Sequence, residues 1–273
     1  MSSGTRPAMR HFGGRGLLRL REQLSERDLA IIGQVAELRL MSARQIEAIH
    51  FPPTEHDSAP AAARARQRVL ERLTRLGLLG RLARRIGGVR AGSASFVYAL
   101  GSNGQRVLTA DGPRRRSYEP TERFLDHTLA ITQLVADLTI AARQGSLDLL
   151  DCQSEPRCWR EFSGLGGRLV LRPDVFLALG VGAFEHRWFA EIDRGNESLP
   201  VVARKCRQYH AYYQAGDEQA AHGVFPRVCW IVPDERRAAN VRRAISRDRS
   251  LPKRLFSVTT SAQALVVLTG GTE

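Results

Sequence analysis

Three carboxylates lie close together in the second half of the sequence, within or directly after apolar runs. Asp174 follows Pro173 inside one apolar run, and the next apolar run ends in Glu191-Ile192-Asp193. Charged side chains among Val, Leu, Phe and Trp are unfavourable unless they are paired or bind a metal. Glu191 and Asp193 fall on the same side of a strand, because strand side chains alternate with a period of two. We therefore predict that Asp174, Glu191 and Asp193 bind a divalent ion, although acids at strand ends that simply face solvent are the alternative.

Mg²⁺ or Mn²⁺ is the expected ion at this site. Mg²⁺ takes one or two carboxylates and keeps several waters, so few protein ligands are needed. Such an ion can activate a water molecule and neutralise charge at a phosphodiester. The three acids therefore predict a nuclease-type site.

Lys205 stands out because the chain has 41 lysines and arginines, of which only Lys205 and Lys253 are lysines. It falls in a predicted helix over residues 198–215, where an ammonium group could stabilise the charge that develops at an attacked phosphate. Gln208 and Tyr212 share its predicted face as accessory residues. An exposed basic residue is the alternative. The opposite, apolar stripe of this helix comprises Val202, Cys206, Tyr209 and Tyr213.

Two further accessory candidates lie in a predicted helix that begins near residue 121. Glu122 is near its start and His127 is one turn further along. A helix in this position can bring an acid or an imidazole close to a metal. Ordinary packing is the alternative interpretation of His127.

The positive charge is concentrated in one half of the chain. The formal net charge is +13, and residues 1–120 hold 21 Lys and Arg against 10 Asp and Glu, whereas residues 121–273 hold 20 against 18. A basic half joined to a nearly neutral half predicts a polyanion-binding module attached to another domain. The four cysteines form no Cys-x-x-Cys pair, and no apolar run approaches the ~20 residues of a membrane span. We therefore expect a cytoplasmic protein that does not contact a membrane.

The basic half predicts a winged helix-turn-helix domain over residues 25–112, after a flexible basic arm over residues 1–24. Periodic apolar residues indicate a helix, a short helix and a third helix, followed by two strand-like runs around a Gly-rich tip. In this motif the third helix enters the major groove of double-stranded DNA and the hairpin touches phosphates. A solvated helix face is the alternative. The candidate DNA-binding residues are Arg64, Arg68, Arg72 and Arg75 on the third helix and Arg84, Arg85 and Arg90 on the hairpin.

The second half predicts an α/β domain over residues 122–273, after a charged linker over residues 113–121. A long helix is followed by strand-like runs, another helix, a further strand and a basic helix. One of the expected strands is continuous from residue 169 to residue 179. This order is typical of a domain with a mixed sheet.

Several segments resemble the replication-relaxation family, described in plasmids and integrative elements. They read RPDVFLAL, WFAEIDRG, ARKCRQYHAYY and, in the first half, LTRLGLL and the stretch from Tyr98 to Gly104; the resemblance covers residues 25–232. It implies a restriction-endonuclease-like fold of the PD-(D/E)xK class, in which Asp174 and Glu191 match the two acids. Asp193 stands where that motif has its lysine, so either Lys205 replaces the missing charge or catalysis is altered or lost.

These observations leave three functions open. The first is a metal-dependent DNA nickase or endonuclease acting in replication or mobilisation of a plasmid or integrative element. The second is a non-catalytic DNA-binding replication accessory or transcriptional regulator with a degenerate nuclease fold. The third is a transposition-type partner that cuts only inside a complex. Double-stranded DNA is the expected ligand, and a second copy of the chain or replication and mobilisation proteins are the further partners considered.

Overall fold

The computed structural model describes residues 13–86, 95–109, 120–164 and 167–271, with residues 83–86 described by their backbone alone. The chain divides into two compact units, residues 1–132 and 133–273. Within the described ranges, none of the helices combines the length and the apolar character needed to cross a membrane.

The first unit combines helices with a small antiparallel sheet. Its helices are α1 (Gly14–Glu22), α2 (Glu26–Leu38), α3 (Ala43–His50), α4 (Ala59–Arg75), α5 (Ser102–Leu108) and the first part of α6 (Glu122–Arg143). Its strands are β1 (Leu40–Ser42), β2 (Leu79–Ile86) and β3 (Ser95–Leu100), in the order β1-β3-β2. The predicted three helices and two strand-like runs are present as α2, α3, α4, β2 and β3, whereas α1, β1 and α5 are additions that the sequence pattern did not predict.

Local capping explains where two of these helices begin. The Ser25 hydroxyl accepts a hydrogen bond from the Asp28 amide and the Asp28 carboxylate accepts one from the Ser25 amide, and Ser42 and Gln45 form the same reciprocal pair at α3. Each pair satisfies amides that the helix itself leaves without partners. After its capped N-terminus, α2 buries its apolar face through Ile31, Ile32 and Val35.

The prediction of a flexible arm over residues 1–24 is wrong for its second half. Residues 14–22 form α1, and Leu17, Leu20 and Leu24 are buried. Burial of these three leucines outweighs the Gly and Arg content that suggested an arm, since each buried leucine contributes about 1.5–3 kcal/mol. Residues 1–12 lie outside the described residues.

The division between the units falls inside α6. The first turns of this helix pack with the first unit, where Leu125 clusters with Leu40 and Val97. The Thr132 hydroxyl donates a hydrogen bond of 2.8 Å to the Leu40 carbonyl. The helix predicted to open the second domain therefore contributes to the core of the first.

The second unit is built on a five-stranded mixed sheet. The strands of the whole unit are β4 (Asp148–Ser154), β5 (Arg160–Gly164), β6 (Gly167–Leu171), β7 (Val175–Val181), β8 (Phe184–Ile192), β9 (Arg227–Val232) and β10 (Phe256–Thr260). The main sheet has the order β10-β9-β8-β7-β4, while β5 and β6 form a separate hairpin. Strands β8, β9 and β10 are parallel, and β4, β7 and β8 are joined antiparallel. The predicted α/β class with a mixed sheet is confirmed.

Two helices cover one face of this sheet. The helices of the unit after α6 are α7 (Leu199–Ala215), α8 (Asp217–His222), α9 (Glu235–Arg247) and α10 (Ala264–Leu268). Buried residues of α7 and α9 share one apolar cluster with Phe176, Phe189 and Trp230 of the sheet. This packing fixes α7 against β8, and so determines which α7 side chains meet the acids of that strand.

The apolar run over residues 169–179 forms two strands instead of the single one predicted. It breaks between Leu171 and Val175, where β6 leaves for the hairpin and β7 enters the main sheet. Pro173 has no amide hydrogen to contribute to a ladder, so it favours such a break. As a result, Asp174 immediately precedes β7 instead of lying within a strand.

Candidate functional site

Asp174 and Glu191 lie at neighbouring positions on adjacent antiparallel strands. Val175 of β7 is opposite Ala190 of β8, which places Asp174 beside Glu191 at the same end of the sheet. One Asp174 carboxylate oxygen, Oδ2, accepts a hydrogen bond of 2.7 Å from the Ile192 amide. Asp174 is thereby held against the end of β8. The structure thus brings together the two acids that the sequence pattern paired.

Lys205 of α7 joins the two acids. Its Nζ forms an ion pair with Glu191 Oε2 and lies 3.9 Å from Asp174 Oδ1. The side chain of Glu191 is 1% exposed and that of Lys205 is 21% exposed, so the pair opens to solvent on the lysine side. Both carboxylates therefore converge on one ammonium group.

Tyr209 is a member of this cluster that the sequence analysis assigned only to the apolar stripe. Its hydroxyl donates a hydrogen bond to Glu191 Oε1, and its ring contacts Phe189 at a centroid distance of 5.7 Å. Residues four apart on a helix lie on one face. The spacing from Lys205 to Tyr209 is therefore the sequence signal that could have identified it.

Burial and crowding control the charge states of the cluster. Burial raises the pKa of Glu191 above its ordinary value; Lys205 opposes this rise, and the neighbouring Asp174 carboxylate adds to it. Burial acts against the charge on Lys205, yet Glu191 and Asp174 raise its pKa above the ordinary value. Burial and the Glu191 carboxylate raise the pKa of Tyr209 well above its usual range. One cation is thus shared between two acids, and Tyr209 remains a hydrogen-bond donor near neutral pH.

Asp193, predicted as a third metal ligand, makes different contacts. Its Oδ1 accepts a hydrogen bond of 2.7 Å from the Gly195 amide, and its Oδ2 forms an ion pair of 2.6 Å with Arg237 of α9. Arg237 also donates to the Glu197 carbonyl at 2.5 Å. This placement corrects the grouping of Asp193 with the other two acids, because the packing of α9 brings a guanidinium to it.

The predicted accessory residues on α7 do not join the cluster. Gln208 is exposed. Tyr212 is buried and donates a hydrogen bond of 2.9 Å to Glu218 of α8. Tyr212 is seven residues after Lys205, which is about 10 Å along a helix axis. Its side chain therefore lies too far along α7 to contact Glu191. Tyr213, predicted to be in the apolar stripe, is 42% exposed.

The other accessory candidates belong to the first unit. Glu122 is exposed and His127 is half-buried, and both lie on the part of α6 that precedes the division between units.

The predicted DNA-binding arginines fall into two groups. Arg64, Arg68 and Arg75 are exposed along one side of α4, and within the described ranges none of them forms an ion pair with a carboxylate. Arg72 instead pairs with the buried Asp28 at 2.6 Å, which engages it within the fold. Arg90 lies outside the described residues, as do the side chains of Arg84 and Arg85.

The donor set allows a test of the predicted metal. Two carboxylates converge at the end of β7 and β8, which matches the small number of protein ligands that Mg²⁺ requires. A third acid does not join them, and among the described residues no group of three or more His, Cys, Asp or Glu side chains could hold a metal ion. The pair that remains, Asp174 and Glu191, faces the Lys205 ammonium, and Tyr209 engages the second oxygen of Glu191.

Comparison with known proteins defines the class of this chain. The model of the replication-relaxation family matches residues 32–228, and the chain belongs to that family. The match includes Asp174, Glu191, Asp193 and Lys205. Membership suggests a role in the replication or mobilisation of a plasmid or other genetic element. No curated protein and no solved structure matches the chain.

Proposed function

We propose that this protein is a metal-dependent DNA nickase or endonuclease of a plasmid or integrative element, acting in replication or mobilisation. The observation that carries the proposal is the convergence of Asp174 and Glu191 on the Lys205 ammonium. Two acids at the ends of adjacent strands, with a lysine beside them, suit metal-dependent phosphodiester hydrolysis. Asp193 stands at the motif's lysine position, so the positive charge would come from Lys205 on α7.

Each residue of the cluster has a distinct role in this proposal. Asp174 and Glu191 would hold Mg²⁺ or Mn²⁺, which when bound activates water and offsets phosphate charge. Lys205 supplies a fixed positive charge where negative charge develops on the attacked phosphate. Tyr209 orients Glu191 through its hydrogen bond, and the hydrogen bond from the Ile192 amide holds the Asp174 carboxylate at the end of β8.

The first unit supplies DNA recognition in this proposal. The order of α2, α3 and α4 followed by the β2–β3 hairpin suits a winged helix, in which the last of the three helices reads the major groove. Here that helix is α4, with Arg64, Arg68 and Arg75 exposed and available to phosphates. Arg72 is excluded from this role because it neutralises Asp28.

Nicking of supercoiled plasmid DNA tests the proposal. We expect the full chain to convert supercoiled plasmid to open circles with Mg²⁺ or Mn²⁺, and Asp174→Ala and Lys205→Ala to lose this activity. Lys205→Arg should also have little nicking activity, because the planar guanidinium group of arginine replaces the compact ammonium group of lysine. Glu185→Ala is the matched control, since Glu185 is an exposed carboxylate at the opposite end of β8.

Thermal unfolding must accompany each variant, because Lys205→Ala leaves Glu191 buried without its cation. The double variant Glu191→Gln/Lys205→Met removes both charges and separates lost catalysis from lost folding. Full nicking by Asp174→Ala would reject the site. Full nicking by Lys205→Ala, with none by Asp174→Ala, would reject only the role of the lysine.

The second candidate function is a non-catalytic DNA-binding protein, either a replication accessory or a transcriptional regulator. It is favoured by the engagement of both Glu191 oxygens, one by Lys205 and one by Tyr209. It is also favoured by Asp193, which stands where the PD-(D/E)xK motif has its lysine and which pairs with Arg237. Duplex binding by the wild-type chain without nicking under either metal would support this function in place of the first.

A further inference from the structure

The second unit carries its own concentration of positive charge. Residues 235–254 contain eight Lys and Arg against two acids, a balance of +6, whereas the remainder of residues 121–273 contains twelve against sixteen, a balance of −4. The nearly neutral average of this half therefore hides one strongly basic segment. That segment consists of α9 and the loop that follows it, ending in a 3₁₀ turn over Lys253–Leu255.

Exposed cations form a single stripe along α9. Arg236, Arg243 and Arg247 are exposed and fall within ~40° of one another at 100° per residue, opposite the buried residues Ala238 and Val241. The stripe extends for about 16 Å at a rise of 1.5 Å per residue. That length spans about five base pairs of duplex DNA at 3.4 Å each.

Most cations of this surface have no carboxylate partner among the described residues. Within the ranges that the structure describes, none of the following six forms an ion pair with a carboxylate: Arg236, Arg243, Arg247, Arg249, Lys253 and Arg254. The two acids of the segment are used by other arginines, since Glu235 pairs with Arg242 and Asp248 with Arg207 of α7. The surface therefore carries uncompensated charge that an external polyanion can neutralise.

The stripe is tied to the candidate site by a buried contact. Arg237 is adjacent to Arg236 and forms its ion pair with Asp193, whose side chain is fully buried. Asp193 is two residues beyond Glu191, which is about 7 Å along an extended strand. A polyanion bound along α9 would thus begin close to the acids and Lys205.

We propose that α9 and its following loop, residues 235–254, bind the phosphate backbone of duplex DNA. This inference rests on the proposed function only in taking DNA as the partner of the protein. The occupant is double-stranded DNA because the stripe presents guanidinium groups and the Asn240 amide, which suit phosphate oxygens. A membrane surface would require apolar side chains beside the cations, and no large hydrophobic side chain is exposed within residues 235–254.

Salt-dependent binding of a labelled duplex to the full chain tests this surface. Arg236→Ala/Arg243→Ala/Arg247→Ala should reduce the slope of log K against log salt by about 2.7, or about 0.9 for each lost phosphate contact. The control is Arg157→Ala/Arg168→Ala/Arg172→Ala, which removes three formal charges from exposed arginines around the β5–β6 hairpin, where Arg168 is paired with Glu161. We expect the control to leave most of the slope in place.

The outcomes separate this inference from the proposed function. An unchanged slope in the α9 variant, or equal losses in both variants, would overturn the surface while leaving the nuclease proposal standing. Absence of duplex binding by the wild type would overturn both. Loss of binding to vesicles containing phosphatidylserine, without a change in duplex binding, would also overturn it. If the triple variant melts below the wild type, Arg243→Gln/Arg247→Gln gives the same test with an expected slope change of about 1.8.

Discussion

Two cations at the end of β8 bind carboxylates in different settings. Lys205 meets two acids and is 21% exposed, so part of its charge is available outside the protein. Arg237 pairs with one acid, Asp193, and also donates to the Glu197 carbonyl; the side chains of Arg237 and Asp193 are 15% and 0% exposed. A buried pair is costly to break because the remaining charge lacks a partner. At the scale of single residues, we therefore expect Arg237 and Asp193 to contribute to stability, and Lys205 to be the cation that the proposed nicking would use.

Asp193→Ala tests that division. Removing the carboxylate leaves the Arg237 guanidinium unpaired, and we expect a loss of about 3–5 kcal/mol in the free energy of unfolding. Thermal unfolding should show a lower melting temperature, which Asp193→Ala/Arg237→Met should partly recover. An unchanged melting temperature together with abolished nicking would instead return Asp193 to the metal site.

Asp28 provides a test of pH dependence in the first unit. Burial alone would raise its pKa, but hydrogen bonds from Arg72 and Ser25 outweigh burial and lower the pKa below the ordinary value of 3.8. A carboxyl with a lowered folded pKa contributes stability above its unfolded pKa, and this contribution is lost as pH falls through the folded value. The melting temperatures of wild type and Asp28→Asn should therefore differ above about pH 5 and converge as pH falls below about 4. A constant difference across that range would contradict the ion pair with Arg72.

At the scale of elements, the phase of α7 determines the site. The sequence predicted this helix closely, but it placed Tyr212 beside Lys205 and Tyr213 in the core. Packing against β8 and β9 turns Tyr209 toward Glu191 and sends Tyr212 toward Glu218. A residue one turn along from Lys205 can reach the same acid, whereas a residue two turns along cannot.

The contact between α5 and the turn after α4 depends on two glycines. The Gly101 amide donates to the Leu78 carbonyl at 2.8 Å, and the Asn103 amide donates to the Gly77 carbonyl at 3.0 Å. A Cβ at Gly101 would collide with the backbone of Gly77, and one at Gly104 with the Leu78 carbonyl. Both glycines fall in the Tyr98–Gly104 segment that carried part of the family resemblance, so packing accounts for them.

Gly104→Ala should therefore destabilise the first unit, and Gly33→Ala is its matched control. The added methyl group at Gly104 forces the backbone to move, for which we expect a loss of about 1–3 kcal/mol. No atom lies within 4 Å of a Cβ built at Gly33 in α2, and alanine there should stabilise the helix by about 0.5–1 kcal/mol. Opposite shifts in melting temperature are expected, and equal shifts would contradict the close approach of α5.

At the scale of the whole molecule, the positive charge forms a surface on each unit. The first is the exposed side of α4, with Arg64, Arg68 and Arg75, and the second is the stripe on α9. If both surfaces bind one duplex, the second binding event becomes intramolecular, which raises the affinity. The charge asymmetry between the halves of the sequence therefore understates the local positive charge of the second unit.

Combining variants tests whether both surfaces bind the same duplex. Arg64→Ala/Arg68→Ala alone should lower the salt slope by about 1.8. Added to the α9 triple variant, it should lower the slope by about 4.5 in total, since each lost contact contributes independently. A combined loss no larger than that of either variant alone would mean that the two surfaces do not engage one DNA molecule together.

The sequence by itself determined most elements and the two acids. Serine caps and apolar periodicity identified α2, α3 and α4, and apolar runs identified β8 and β9, because these signals arise among residues a few positions apart. The same local pattern identified Asp174 inside one apolar run and Glu191 near the end of the next. It also marked Lys205 as unusual among arginines.

Only the tertiary structure decided which charges meet. The partner of Asp193 lies on α9, and the break at Pro173 separates strands that leave for different sheets. Alternation along β8 groups Glu191 with Asp193, but packing gives one a lysine from α7 and the other an arginine from α9. A buried carboxylate takes its role from the cation that long-range packing brings to it, and the sequence near the carboxylate does not encode that cation.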